Sequence, residues 1–194
     1  ELREELILKG HQFHSHTDSE VILHGYEEYG VEILGRLRGM FAFSIWDRER
    51  KRLFIARDYF GIKPLYYTHH TSDQSMIFGS EIKAFMHHPK FIKELNANAL
   101  RPYLTFQYSS MDETFFKGVY KLKPAHYLMI EDGKMEMKPY WHNTFKVVPN
   151  DLRHNVEQIK SMLKESVAYH KISDVTVGSF LSGGVDSSYI TALL

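Results

Sequence analysis

The chain has 194 residues, 43% hydrophobic and 25% charged, which suits a globular protein of one domain and part of another. Its formal net charge is zero, so no field points to nucleic acid or an acidic membrane surface. No apolar run of about 18 residues and no signal peptide is present, and the absence of Cys excludes disulfides and fits a cytoplasmic protein.

Residues 1–9 read as a helix, with Gly10 suited to its C-cap. Residues 18–35 place Val21, Ile22, Tyr26, Tyr29 and Ile33 near helical spacing, with Thr17 or Asp18 as N-cap. The period then changes. Residues 40–46 (MFAFSIW) and 52–56 (RLFIA) flank a charged turn, the pattern of an antiparallel hairpin. Residues 64–68 (PLYYT) and 75–78 (SMIF) read as further strands. Ser80 is placed to cap a short helix that Pro89 ends, and Asn96 to cap another over residues 97–106. Residues 108–112 (YSSMD) read as a loop. A second hairpin spans 126–140, where Asp132-Gly133 gives a strong type I′ turn signal. Periodicity lapses over 142–150, which reads as a linker. From Asp151, the positions Leu152, Val156, Ile159, Leu163 and Val167 mark a helix of about five turns. Val175, Val177 and Phe180 then read as a buried strand. Three regions result: 1–141 with antiparallel strands and helices, the linker 142–150, and 151–194 as the start of an α/β unit.

The last region ends in Phe180-Leu181-Ser182-Gly183-Gly184-Val185-Asp186-Ser187-Ser188. Two glycines let the backbone turn tightly, so that its N–H groups approach an anion. Ser182, Ser187 and Ser188 bring hydroxyls to the mouth of the following helix, whose N-terminus favours negative charge. Asp186 would repel a bare phosphate, and its place makes sense with a divalent cation between them. The Walker spacing and its lysine are missing, which argues against a kinase or GTPase.

This loop resembles the pyrophosphate-binding PP-loop (SGGxDSS) of enzymes that adenylate a carboxylate or carbonyl with ATP. Upstream stand Thr17-Asp18-Ser19-Glu20-Val21-Ile22, RDYFGIKPLYY over 57–67 and GSEIKAF over 79–85. Taken as bare sequence, RDYFGIKPLYY is scaffold with Arg57 and Asp58 paired, and SEIKAF is a capped short helix. Together the segments resemble class II glutamine amidotransferases of the N-terminal-nucleophile type. With the PP-loop downstream, the resemblance is to glutamine-hydrolysing asparagine synthetases of the bacterial AsnB type, across essentially the whole chain.

The resemblance implies a partial αββα sandwich of the N-terminal-nucleophile hydrolase kind (α+β) for 1–141. It implies the start of a parallel-sheet PP-loop nucleotide-binding domain for 151–194. The implied activity is an ATP-dependent carbon–nitrogen ligase: glutamine hydrolysis supplies ammonia, ATP adenylates aspartate, and ammonia attacks the aspartyl-AMP. Asp18 matches the acidic residue that holds the glutamine α-amino group. Phe180, Ser182, Gly183, Gly184, Val185, Asp186, Ser187 and Ser188 match the ATP loop, and Asp186 matches a Mg²⁺ ligand. No catalytic residue lies in the chain. The nucleophilic Cys is expected before Glu1, both ends read as cut, and the chain alone is expected to be inactive. The partners implied are glutamine, aspartate and ATP, with a homodimer of the parent enzyme as a further expectation. One departure stands out: Lys123-Pro124-Ala125-His126 has Ala where the family usually has Gly, which implies a local loop adjustment.

Two alternatives stay open. One is another PP-loop amidotransferase or a β-lactam synthetase-like enzyme; the other is a non-catalytic module that keeps the fold. A metal reading of His11, His14 and His16 beside Asp18 is set aside, because no second ligand cluster has comparable spacing. The 13 Phe and 12 Tyr fall at strand periodicity and read as core, not as base-stacking surface.

Overall fold

Helix α1 (Leu2–Leu8) and helix α2 (Asp18–Tyr29) open the chain in a computed structural model that describes residues 1–109 and 111–194. Ser110, inside the loop predicted at 108–112, lies outside the described residues. Contacts divide the chain into two units, Glu1–Asn143 and Thr144–Leu194. The single helix predicted over 18–35 is interrupted: Gly30 takes φ +58, and Gly30–Arg36 continues as a 3-10 helix. The left-handed glycine stops the α ladder, while Ile33 and Leu34 beyond it stay buried.

Both predicted hairpins form. Strands β1 (Ala42–Asp47) and β2 (Arg52–Arg57) pair antiparallel, with Phe43 opposite Ala56 and Ile45 opposite Phe54. Strands β3 (Tyr66–Thr68) and β4 (Ile77–Gly79) pair antiparallel further along. Between β4 and the next helix, Ile82–His87 is a 3-10 turn without a side-chain cap, so Ser80 does not cap it. Helix α3 (Ala97–Phe106) is capped by Asn96, whose side chain accepts from the Asn98 amide at 3.1 Å. Strand β5 (Val119–Lys121) is too short to show a period in the sequence and was not predicted. Strands β6 (His126–Glu131) and β7 (Lys134–Pro139) flank Asp132 and Gly133, both at positive φ as a type I′ turn requires.

The strands make two antiparallel sheets, one ordered β1-β2-β6-β7 and one β4-β3-β5. Alternation along β2 assigns the faces. Phe54 and Ala56 pack with Tyr26, Ile33 and Leu34 of the helical layer, joined by Phe43, Ile45, Tyr127 and Met129. Ile55 points the other way, with Leu128, onto Leu65 and Tyr67 of the second sheet. That sheet's far side meets Phe85 and Phe91. The first unit is therefore helix, sheet, sheet, helix: a mixed α+β fold with two antiparallel sheets in the core, as the resemblance implied.

The chain leaves the first sheet after β2 and returns to it before β6, and one buried dipeptide holds both crossings. Arg57 is 2% exposed. Its guanidinium donates to the carbonyls of Gly61, Lys63 and Leu122. The Asp58 carboxylate accepts the amides of Phe60, Ile62 and Lys63 at 3.2, 2.9 and 2.9 Å. Its carbonyl accepts from the Ala125 amide on the returning strand. Arg57 and Asp58 were expected to pair with each other; instead each clamps loop backbone.

Ala125, the departure from the family pattern, sits at φ +56 and is buried. Its amide and its carbonyl, which accepts from Tyr140, are both bonded, so the loop keeps a conformation that suits glycine.

The second unit comprises helix α4 (Leu152–His170), capped by Asp151, and helix α5 (Val185–Leu193). The strand predicted through Val175, Val177 and Phe180 does not form: the segment is irregular, and Phe180 is 98% exposed. A buried strand requires a ladder and covered faces. Among the described residues this segment has neither. No helix among the described residues is long and apolar enough to cross a membrane.

Replacing Arg57 by Met tests the crossing clamp. The change strands three carbonyls that a cation now serves, so we expect a loss of at least about 3 kcal/mol in urea unfolding. Arg57→Lys should not restore it, because a single ammonium cannot reach all three acceptors. An unchanged midpoint for Arg57→Met would refute the clamp.

Candidate functional site

The approach to Asp18 is shaped by side chains that flank it. Arg3 on α1 donates to the Ser15 carbonyl, and its guanidinium lies 4.4 Å from the centre of the Phe13 ring. Glu20, in the first turn of α2, accepts the amides of His14 and Ser15 at 2.6 and 2.7 Å and the Ser15 hydroxyl at 2.5 Å. Those bonds favour the ionised carboxylate, the His14 amide most, and hold its pKa at about 2. Thr17 is the N-cap; its hydroxyl accepts from the Glu20 amide at 3.4 Å. Thr17-x-x-Glu20 is thus a capping-box sequence in which the glutamate reaches past the cap to two earlier amides.

Asp18 is left as the first residue of α2, not its cap. Its side chain is exposed, with no hydrogen bond or ion pair among the described residues. An acceptor at a helix N-terminus, next to a segment pinned by Glu20, is a place for a cationic ligand group.

In the second unit the loop before α5 has the predicted features. Gly183 takes φ +83, where a side chain would be strained although the space around it is open. Gly184 is the N-cap, and the first intrahelical bond runs from the Ser188 amide to its carbonyl at 3.0 Å. The amides of Val185, Asp186 and Ser187 therefore face the mouth without intrahelical acceptors. Ser187 Oγ donates to the Gly184 carbonyl, so Ser182 donates to Ser187 Oγ across 2.9 Å. That bond draws Ser182 over the helix end. Asp186 is exposed in the first turn. One carboxylate beside free amides and hydroxyls suits a magnesium ion that takes its remaining ligands from phosphates and water.

The structure gathers Ser182, Gly183, Gly184, Val185, Asp186 and Ser187 at one helix end. Ser188 lies just beyond in α5, and the Phe180 side chain projects into solvent. His14 and His16 stay in the segment before α2 and form no metal-ligand cluster among the described residues. Sequence reasoning missed the role of Glu20, although the T-x-x-E spacing carried the signal. It also missed the approach of His24 and Glu27 to His11.

A family model described as glutamine amidotransferase domain matches residues 1–141. The chain belongs to the glutamine amidotransferase domain family. A second model, asparagine synthase, matches residues 158–194. Among curated proteins, this amidotransferase chain is 42% identical to glutamine-hydrolysing asparagine synthetase 1 of Bacillus subtilis, over 100% of the chain and 30% of that protein. It is 38% identical to asparagine synthetase 3 of the same organism, over 100% of the chain and 31% of that protein. The chain thus spans about 30% of the length of these relatives. Among solved structures, the glutamine phosphoribosylpyrophosphate amidotransferase of B. subtilis aligns with a TM-score of 0.51 at 21% identity, covering 73% of this chain and 26% of that one. At that identity the likeness concerns the fold alone.

The Glu20 clamp predicts an acid-dependent stability. Its folded-state pKa of about 2 lies below the ordinary 4.5, so its contribution is complete above about pH 4.5 and is lost as pH falls towards 2. Melting temperature measured against pH should fall more steeply in this window for the parent than for Glu20→Gln. Parallel curves would show that the carboxylate does not hold the segment.

Proposed function

We propose that this chain is the part of a glutamine-dependent asparagine synthetase that carries the glutamine pocket and opens the ATP site. The observation that supports it most is the presence, in order on one chain, of the amidotransferase match and of the asparagine synthase match ending at a phosphate-ready helix mouth. We take 1–141 as the glutaminase domain, 142–150 as linker and 151–194 as the start of the synthetase domain. The resemblance further supports aspartate as acceptor, magnesium as metal, a cytoplasmic setting and a homodimeric parent.

In this reading the α-ammonium of glutamine pairs with the Asp18 carboxylate, at the end of a segment that Glu20 and Arg3 hold in place. A thiolate attacks the side-chain amide, ammonia leaves as its nitrogen takes up a proton, and water cleaves the resulting thioester to release glutamate. This sequence holds no Cys, so the thiolate is not one of its groups. At the second site the free amides of Val185, Asp186 and Ser187 receive the pyrophosphate oxygens of ATP, with the hydroxyls of Ser182, Ser187 and Ser188 beside them. Asp186 would hold magnesium, which neutralises phosphate charge when bound. The aspartate β-carboxylate attacks the α-phosphorus and pyrophosphate leaves. Ammonia then attacks the β-aspartyl carbonyl, and AMP departs with its oxygen.

Two substitutions in the longer polypeptide separate the halves. Asp18→Asn removes the charge while Thr17 still caps α2, so the melting temperature should hold. The kcat/KM for glutamine should fall by about tenfold or more through loss of the charge-assisted partner of the α-ammonium, while synthesis from added ammonia continues at the parent rate. Asp186→Asn should abolish synthesis from both nitrogen donors and leave glutamine hydrolysis in place. Unchanged glutamine kinetics in the first variant, or unchanged AMP formation in the second, would sink the corresponding assignment.

A further inference from the structure

His11 and His24 lie thirteen residues apart, yet their rings meet with Nδ1 facing Nδ1 at 3.3 Å. Glu27 Oε2 closes the triangle, 2.7 Å from His24 Nδ1 and 3.7 Å from His11 Nδ1. The outer nitrogens meet other carboxylates. His11 Nε2 is 3.2 Å from Glu28 Oε2, and His24 Nε2 is 3.8 Å from Glu20 Oε1. An ionised carboxylate only accepts, so Glu28 places the ring proton of His11 on Nε2 and leaves its Nδ1 lone pair facing inward, while His24 Nδ1 faces the Glu27 carboxylate at 2.7 Å and holds a proton there that a metal ion would displace. Three potential ligand atoms, the two Nδ1 atoms and Glu27 Oε2, converge on one point. A single proton there can serve one such pair; a metal ion serves all three.

We propose that His11, His24 and Glu27 form a divalent-metal site of the zinc type, which ties the segment before α2 to the face of that helix. Ligand atoms about 2.0–2.1 Å from a tetrahedral zinc lie about 3.3 Å from one another, and the three edges here are 3.3, 2.7 and 3.7 Å. Glu28 behind His11 stands where a carboxylate orients a metal-bound imidazole. The i, i+3 spacing puts His24 and Glu27 on one face of α2, and His11 arrives from outside the helix, so the bound ion cross-links the two segments. The histidine side chains are 17% and 16% exposed and Glu27 is 52% exposed, which leaves the fourth position to water. Phe13 packs edge-on against the His24 ring at 4.7 Å and helps to fix its plane. The site stands apart from the glutamine and ATP readings and does not depend on them.

The test is a titration of the chelator-treated full polypeptide with Co²⁺, followed by Zn²⁺. The site predicts one Co²⁺ per chain with the intense visible absorption of four-coordinate cobalt, bleached by Zn²⁺, and a melting temperature that rises with Zn²⁺. His24→Gln should abolish the absorption. Glu27→Gln, a change at an exposed position that leaves the fold alone, should weaken binding at least tenfold. Glu28→Gln should weaken it about tenfold through its hold on His11. The double variant His14→Gln, His16→Gln should bind as the parent does. Absence of the cobalt absorption, or parent-like binding by a folded Glu27→Gln variant, would overturn the site.

Discussion

Burying a guanidinium is costly unless its donors are served, and Arg57 is served by three carbonyls from both places where the chain changes sheets. Burial lowers the Arg57 pKa, and the neighbouring Asp58 carboxylate opposes that shift. Asp58 in turn gathers three amides of the outgoing loop, and its own amide donates to the Phe41 carbonyl at 2.8 Å. The two-sheet sandwich depends on this arrangement, because a crossing between packed sheets carries backbone groups through a region with no ladder to satisfy them. Gly61 belongs to the same constraint. It sits at φ +64, and a Cβ there would lie 2.8 Å from the Arg57 guanidinium and 3.0 Å from Pro124. The string RDYFGIKP is thus a structural solution, and its exposed Phe60 and Ile62 are what remains on the surface once the charged pair is inside.

The two candidate sites differ in how far the chain builds them by itself. The phosphate loop is formed by local rules: a glycine in the left-handed region, a helix start with three free amides, and a serine pair that folds over it. The Asp18 site is held from a distance, by Arg3 on α1 and Glu20 on α2. Both rely on a helix N-terminus, one with free amides at its mouth and the other with an added, exposed carboxylate. Under the proposed function, ammonia released at one site is useful only if it reaches the other, which gives a chemical rationale for carrying both on one polypeptide.

Much of the first unit was legible because its strands are long enough to show alternation and its turns use diagnostic residues. Asp132-Gly133 marked the β6–β7 hairpin, and Asn96 and Asp151 marked helix starts. What escaped was non-local or too short. Strand β5 exists through pairing with β3, which three residues cannot announce. The apolar run at 175–180 reads as strand in isolation, but a strand is a relationship between segments, and no described residue pairs with it. Gly30 broke a helix whose apolar period continued past it, so periodicity alone extended the element too far. His14 and His16 drew the eye by spacing, while the residues that meet His11 stand on the next helix and were invisible to local pattern. Asp18 was found through resemblance; the physical reason for its setting, the Glu20 clamp, lay in a capping-box spacing two residues on.

The account stands or falls on whether ATP is cleaved between its α- and β-phosphates in a reaction that consumes glutamine. The direct measurement is a product balance for the purified full-length polypeptide given aspartate, glutamine and ATP–Mg²⁺. The account predicts AMP, pyrophosphate, glutamate and asparagine in equal amounts. ADP and inorganic phosphate as the nucleotide products, or AMP formed without asparagine, would contradict it.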